Sequence, residues 1–412
     1  MRRCLLLTVA GLLAGLFIGG CSSAPERTLS RQPVPYASLP NGHDPLNPDQ
    51  LLPRYTPYHV SVEAGLIPFY ERKRGHPLQV LLLSGGGQNG AFGAGFLKGW
   101  RERGNRPQFD IVTGVSTGAL LATHAFLGTP ADDAVLEEIF THVDEGSIYR
   151  KKSLIGLLFG GNSLYDTSPL RRLLDRYITE ATLQRVAAAF EENRRLWVGT
   201  TNLDYQQTWV WNLSLIAKER KLDLYKRVLL ASASPPVAFP PVEIAGYLFG
   251  DGGVRQNLVV IGLGGAEPPP PPLYGPGNVF VIQNGKDTSP PKAVRKDVVG
   301  LAGSSLDVML TSSMESLLLR TYVAAHAHGY RFQMVAIPER VDIGDNALAF
   351  DPKQMRAAFE AGYGLGKQPQ PWAGVPPIVK DLPPWALDII GSPRANAMPE
   401  TVRGVASSGA VR

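Results

Sequence analysis

The chain has 412 residues, of which 44% are apolar and 19% are charged. This length suits one large domain with additional segments, or two domains, and the apolar fraction excludes wholesale disorder. The formal net charge is +5 and loses two units if Arg2 and Arg3 leave with the leader described next. Because no basic cluster with interleaved aromatic residues occurs, we do not expect nucleic acid as a partner.

The N-terminus predicts an export signal that ends at a cysteine. Two arginines precede an apolar stretch at 5–18, which is shorter than the about 20 residues that span a bilayer. Residues 18–21 resemble the lipobox of a bacterial lipoprotein, which implies cleavage before Cys21 and lipidation of its thiol. An ordinary secretory leader is the alternative. The only other cysteine lies inside the leader, so Cys21 is the one thiol of the mature chain.

Composition divides the chain into four predicted segments. A signal peptide at 1–20 and a lipidated, proline-rich tether at 21–57 precede the main domain at 58–366, and a tail of prolines and small residues fills 367–412. Ser22 and Ser23, with no aspartate after the cysteine, favour a bacterial cell envelope location, lipid-anchored at the outer membrane.

The main domain alternates short apolar runs with amphipathic stretches, which predicts a three-layer α/β/α fold around a mostly parallel sheet. The predicted strands cover residues 78–84, 111–113, 196–201, 208–213, 278–282 and 330–337. The predicted helices include residues 91–103, 119–127, 170–178, 304–328 and 353–363.

The most informative motif is G-x-S-x-G from Gly114 to Gly118, which lies between a predicted strand and a predicted helix. A serine at such a turn adopts a strained backbone conformation that exposes its hydroxyl in a cleft, and the two glycines avoid clashes. The motif therefore makes Ser116 the candidate nucleophile.

A second motif is the glycine-rich turn that follows the first predicted strand. Gly85, Gly87 and Gly90 satisfy the dinucleotide pattern G-x-G-x-x-G, and Asp110 lies 20 residues beyond it. Asp110, however, precedes its apolar run and would lie at the wrong edge of the sheet to bind a ribose. The backbone N–H groups of Gly85, Gly86 and Gly87 at a helix start would equally form an oxyanion hole, which we favour over a nucleotide site.

A third motif places Asp251 at the end of a short apolar run, followed by Gly252 and Gly253. A serine hydroxyl needs a base to become nucleophilic, and this aspartate is a candidate. Taken alone, the Asp-Gly dipeptide is more typical of a plain turn.

The three motifs, in this order, resemble the patatin-like phospholipases, and the resemblance extends over about residues 78–340. It implies a Ser-Asp dyad, in which Ser116 attacks an ester carbonyl, Asp251 acts as base and then as acid, and the amides of Gly85–Gly87 stabilise the oxyanion. No metal, organic cofactor or nucleotide is implied. The family often carries Arg or Lys at the position of Asn89, so the charge at that position is missing here.

The resemblance implies a serine acyl hydrolase of the phospholipase A or lysophospholipase type, whose substrate is a lipid of the membrane to which Cys21 anchors it. The sequence does not identify a protein partner. One alternative is an α/β-hydrolase triad that adds His326 or His328 to Ser116 and Asp251. The other is a membrane-anchored scaffold that has lost its chemistry.

Overall fold

A computed structural model describes residue 73 and residues 76–152, 162–260, 277–287, 293–294, 296–327, 329–344 and 346–383. The predicted signal peptide, Cys21 and the predicted tether lie outside the described residues. So do His328 and the part of the predicted tail that begins at residue 384.

The strands are β1 (Gln79–Leu83), β2 (Ile111–Val115), β3 (Arg150–Lys151), β4 (Tyr165–Asp166), β5 (Arg195–Asn202), β6 (Gln207–Asn212), β7 (Val242–Ile244), β8 (Tyr247–Asp251), β9 (Asn278–Lys286) and β10 (Arg331–Ile337). The helices are α1 (Gly90–Glu102), α2 (Thr117–Leu127), α3 (Pro130–Thr141), α4 (Glu145–Ile148), α5 (Ser168–Tyr177), α6 (Glu180–Glu191), α7 (Leu213–Lys218), α8 (Leu222–Ser232), α9 (Val298–Ala327), α10 (Pro352–Gly366) and α11 (Pro377–Lys380). Short 3-10 turns cover Gly87–Asn89 and Gly252–Val254.

The central sheet has the strand order β10-β9-β1-β2-β5-β8-β7, with β6 on the other side of β5. The five strands from β10 to β5 are parallel, whereas β6, β7 and β8 pair antiparallel with their neighbours. The prediction of a mostly parallel sheet flanked by helices is therefore confirmed, with an antiparallel end added to it. All six predicted strands are present, and the predicted helix at 304–328 begins earlier, at Val298.

The two faces of the sheet bury separate apolar cores because successive side chains of a strand point to opposite faces. Leu81 and Leu83 of β1 belong to the core beneath helices α1, α2, α3 and α5 to α8. Val80 and Leu82 belong to the core on the other face, which α9 covers. No described helix is long and apolar enough to cross a bilayer.

Helix α10 lies directly against α1 because glycines stand at the contact on both helices. Gly95 and Gly99 of α1 meet the backbone of α10, and Gly362 and Gly366 of α10 meet the backbone of α1. A Cβ atom built on Gly95 would lie 2.0 Å from the carbonyl oxygen of Phe359. The close backbone contact fixes α10, and the segment that leads into it, beside the glycine-rich turn at the start of α1.

The domain extends beyond the boundary at residue 366 that the composition predicted. Trp372 packs on Trp100 and Phe96 with ring centroids 4.7 Å and 5.0 Å apart, and Ala373 forms an isolated antiparallel bridge with Met334. The prediction that a loosely attached tail begins at 367 is therefore wrong for residues 367–383. Proline content suggested a tail, but the half-buried ring of Trp372 and the bridge at Ala373 attach this segment to the core.

Candidate active site

Ser116 is the residue between β2 and α2, where it adopts φ 52° and ψ −124°. A positive φ strains any residue with a side chain, and at this position it turns the hydroxyl out of the sheet edge. Glycine is required on both sides of Ser116, because a side chain at either position would overlap the backbone. A Cβ on Gly114 would lie 2.4 Å from the carbonyl oxygen of Gly118, and one on Gly118 would lie 2.4 Å from that of Leu83. The geometry is that of a nucleophile elbow.

Strand β5 brings the motif of Asp251 to the elbow. On one edge of β5, Val115 of β2 pairs with Gly199, and Asp251 of β8 pairs with the next residue, Thr200. Because β8 runs antiparallel to β5, the ends of β2 and β8 meet head to head. The residue that follows Val115 is Ser116, so the serine and the aspartate become neighbours although 135 positions separate them.

The Asp251 carboxylate accepts a hydrogen bond from the N–H of Gly253 at 2.7 Å and lies beside the Ser116 hydroxyl, which also stabilises its charge. Only 6% of the residue is exposed. Burial raises the pKa of Asp251 to about 6, against the contributions of Ser116 and Gly253, which lower it. A carboxyl with a pKa near neutrality and in contact with a serine hydroxyl is placed to accept its proton.

The glycine-rich turn faces the same point. A Cβ on Gly85 would lie 3.0 Å from the Cβ of Ser116. The N–H of Gly85, however, donates to the carbonyl of Asn257 at 3.3 Å. In the described part of the chain, no such bond engages the N–H groups of Gly86 and Gly87, so these two remain for an oxyanion. Gly86 and Gly87 admit no side chain, since a Cβ on either would overlap a backbone carbonyl.

Gln88 anchors the glycine-rich turn to the segment before α10. Its side-chain amide donates to the carbonyl of Ile343 at 2.9 Å and to the side chain of Gln354 at 2.7 Å, and its Oε1 accepts from the N–H of Asp351 at 2.8 Å. Its own N–H donates to the carbonyl of Ala347 at 2.8 Å. Sequence reasoning missed this role, for which a polar residue within the glycine motif was the only signal.

Ser232, at the end of α8, was also missed. Its hydroxyl accepts the N–H of Ser116 at 3.0 Å and donates to the carbonyl of Gly199 at 2.6 Å, and the residue is fully buried. It therefore ties the strained elbow to β5. Ser232 lies within the range of about 78–340 that the resemblance covers, but none of the three motifs includes it.

A narrow pocket opens at Ser116 and is lined almost wholly by apolar side chains. Its cavity volume is about 60 Å³. The walls come from α2, α3, α5, the segment after α8 and the segment before α10, and include Leu120, Phe140, Leu170, Leu174, Phe239 and Phe350. An apolar pocket that ends at a nucleophile suits a fatty-acyl chain.

The remaining candidates lie elsewhere. His326 is in the last turn of α9, which leads into β10, and is therefore at the edge where the parallel strands begin, opposite to Ser116. Asp110 lies at that same far edge, where it accepts the N–H of Gln79 and pairs with Lys73. His328 is not described. Among the described residues, no group of three His, Cys, Asp or Glu side chains is arranged to hold a metal ion.

Comparison with known proteins finds a family model that matches part of this sequence. Residues 81–263 match the family model of the patatin-like phospholipases. An uncharacterized protein of Acanthamoeba polyphaga mimivirus, R571, is 24% identical over 296 residues, which cover 70% of this chain and 92% of that protein. The crystal structure of VipD from Legionella pneumophila superposes with a TM-score of 0.40 and 15% identity. The match covers 71% of this chain and 66% of VipD, just under two thirds of its length.

A mixed α/β sheet with a serine at a nucleophile elbow defines a hydrolase-like α/β domain. Residues 81–263 of this chain match the patatin-like phospholipase domain. This domain suggests the activity of a lipid acyl hydrolase.

Proposed function

We propose that the protein cleaves fatty-acyl esters of phospholipids or lysophospholipids through a Ser116-Asp251 dyad. The observation that carries this proposal is the position of the buried Asp251 carboxylate beside the hydroxyl of Ser116, a residue that lines an apolar pocket. No described histidine makes a comparable contact with the serine.

In the proposed reaction, Asp251 takes the proton of Ser116 while Oγ bonds to the ester carbonyl carbon. The N–H groups of Gly86 and Gly87 stabilise the resulting oxyanion. As the C–O bond to the alcohol breaks, protonated Asp251 returns the proton to the leaving oxygen. Water, deprotonated by Asp251, then attacks the acyl-enzyme, and the released serine oxygen recovers a proton.

The glycine-rich turn needs no cation at Asn89 to present the N–H groups of Gly86 and Gly87. Gln88 and close backbone contacts hold the turn in place. A scaffold that had lost its chemistry would be free to lose the strained φ of Ser116 or the burial of Asp251. Both features are present.

Release of fatty acid from phosphatidylcholine and lysophosphatidylcholine vesicles tests the proposal, with fluorophosphonate labelling as a second readout. We expect Ser116→Ala to lose both signals, and Asp251→Asn to lose hydrolysis. The His326→Ala/His328→Ala double variant is the control and should retain both. Hydrolysis by Ser116→Ala, or a histidine variant as inactive as the serine variant, would overturn the dyad.

We further propose that Cys21 carries a lipid that anchors the enzyme to the bacterial outer membrane, which raises the local concentration of its substrate. The support is the lipobox-like sequence at 18–21. Cys21→Ser should move the protein from the membrane fraction to the soluble fraction and abolish incorporation of labelled palmitate. Retention of the label by the variant would exclude this anchor.

A further inference from the structure

One face of helix α2 forms a wall of the pocket. Thr117, Leu120 and His124 all line it, and their spacing of three and four residues places them on one side of the helix. Ser116 precedes the first turn of the same helix. The pocket therefore runs from the nucleophile along α2, and His124 lies about 12 Å from Ser116 along the helix axis, at about 1.5 Å per residue.

Asp132, which does not line the pocket, holds His124 in one orientation. Nδ1 of His124 lies 2.9 Å from Oδ1 of Asp132, and only 4% of the histidine is exposed. Arg185 donates to both carboxylate oxygens of Asp132, at 3.0 Å and 2.5 Å, and the Thr129 hydroxyl donates to Oδ2. Burial opposes ionisation, but these hydrogen bonds hold the pKa of Asp132 well below its usual range. The carboxylate fixes Nδ1 of the imidazole as the donor.

The other ring nitrogen has no such partner. Nε2 of His124 is buried and makes no hydrogen bond with the described residues. In the tautomer that donates from Nδ1 to Asp132, Nε2 presents a lone pair, which requires a donor. A buried polar atom without a partner is rare in native proteins and points to a ligand group.

Resting on the proposed function, we propose that His124 selects acyl chains that carry a hydroxyl group in mid-chain, by accepting a hydrogen bond from that hydroxyl at Nε2. The separation of about 12 Å from Ser116 sets the position of the hydroxyl, because a carbon–carbon bond of about 1.5 Å requires at least about eight bonds to cover it. A hydroxyl beside the ester would not reach the imidazole.

The test compares kcat/KM for lysophosphatidylcholines that differ only in the acyl chain. The chains are stearoyl, 12-hydroxystearoyl, 10-hydroxystearoyl and 2-hydroxystearoyl. We expect a mid-chain hydroxyl to raise kcat/KM about tenfold over stearoyl, as one added hydrogen bond does, and the 2-hydroxyl to bring no gain. His124→Phe keeps a ring in the pocket but removes Nε2, and should bring the ratio of hydroxylated to plain chain to about one.

The ratio separates selectivity from structural damage, because a merely weakened fold lowers the rates on all chains together. A wild-type ratio of one or less overturns the proposal without any variant, as would an unchanged ratio in His124→Phe. If the substitution prevents folding, the position series on the unaltered protein still decides. Failure of the proposed function looks different, since no chain would then be cleaved.

Discussion

Replacement of Asp251 by Asn separates the catalytic value of this carboxylate from its cost to stability. The carboxylate is buried, and the stabilisation of its charge by Ser116 and by the N–H of Gly253 does not offset the cost of burial. Asparagine keeps the shape and can still accept the N–H of Gly253 through its side-chain oxygen. It cannot accept the serine proton, so we expect hydrolysis to disappear while the fold persists.

The raised pKa determines the sign and size of the stability effect. Folding raises the pKa of Asp251 from 3.8 to about 6. The folded state therefore binds the proton more tightly than the unfolded state, and the free energy of unfolding falls as pH rises from about 4 to about 6. A rise of the pKa from 3.8 to about 6 corresponds to about 3 kcal/mol. Asparagine does not titrate. The free energy of unfolding of the variant, relative to that of the wild type, should therefore increase by about this much from pH 4 to pH 7.

Urea unfolding at both pH values measures this gain, and Asp223→Asn on the exposed face of α8 controls for the loss of a negative charge. The control should show a change of no more than about 0.5 kcal/mol. For the wild type, kcat/KM should rise with pH through about 6, as the carboxylate loses its proton. A free energy of unfolding of Asp251→Asn that falls, relative to that of the wild type, from pH 4 to pH 7 would refute the reasoning.

Three further predictions concern the supports of the site. Ser232→Ala should lower kcat/KM about ten- to a hundredfold, because the elbow loses its bond to β5, whereas Ser234→Ala, whose hydroxyl bonds only to a helix carbonyl, should stay within about twofold. Gly118→Ala should lose more than about 3 kcal/mol in denaturant unfolding, since its Cβ overlaps a carbonyl, while Gly364→Ala in open space should gain about 0.5 kcal/mol. Gln88→Leu should lower kcat about tenfold with little change in KM, measured by steady-state hydrolysis. An unaffected kcat would mean that the glycine-rich turn keeps its conformation without the hydrogen bonds of Gln88.

The parallel sheet and its motifs were predictable from sequence because they depend on local chemistry. A run of apolar β-formers such as β1 is buried on both faces wherever it lies, and the G-x-S-x-G turn around Ser116 needs its glycines for contacts within a few residues or with the adjacent strand. Likewise, Asp110 precedes its strand in the chain and therefore lies at the far edge of the sheet. Each of these outcomes follows from order along the chain.

What only the tertiary structure decided is which distant groups meet. The pairing of Val115 and Asp251 with consecutive residues of β5 makes neighbours of Ser116 and Asp251, which belong to two separate motifs, and no local pattern encodes that register. The same is true of the bond that occupies the N–H of Gly85, and of the imidazole of His124 in the pocket wall. Sequence patterns report the conformation of neighbours in the chain. Hydrogen-bond partners, burial and pKa depend on neighbours in space.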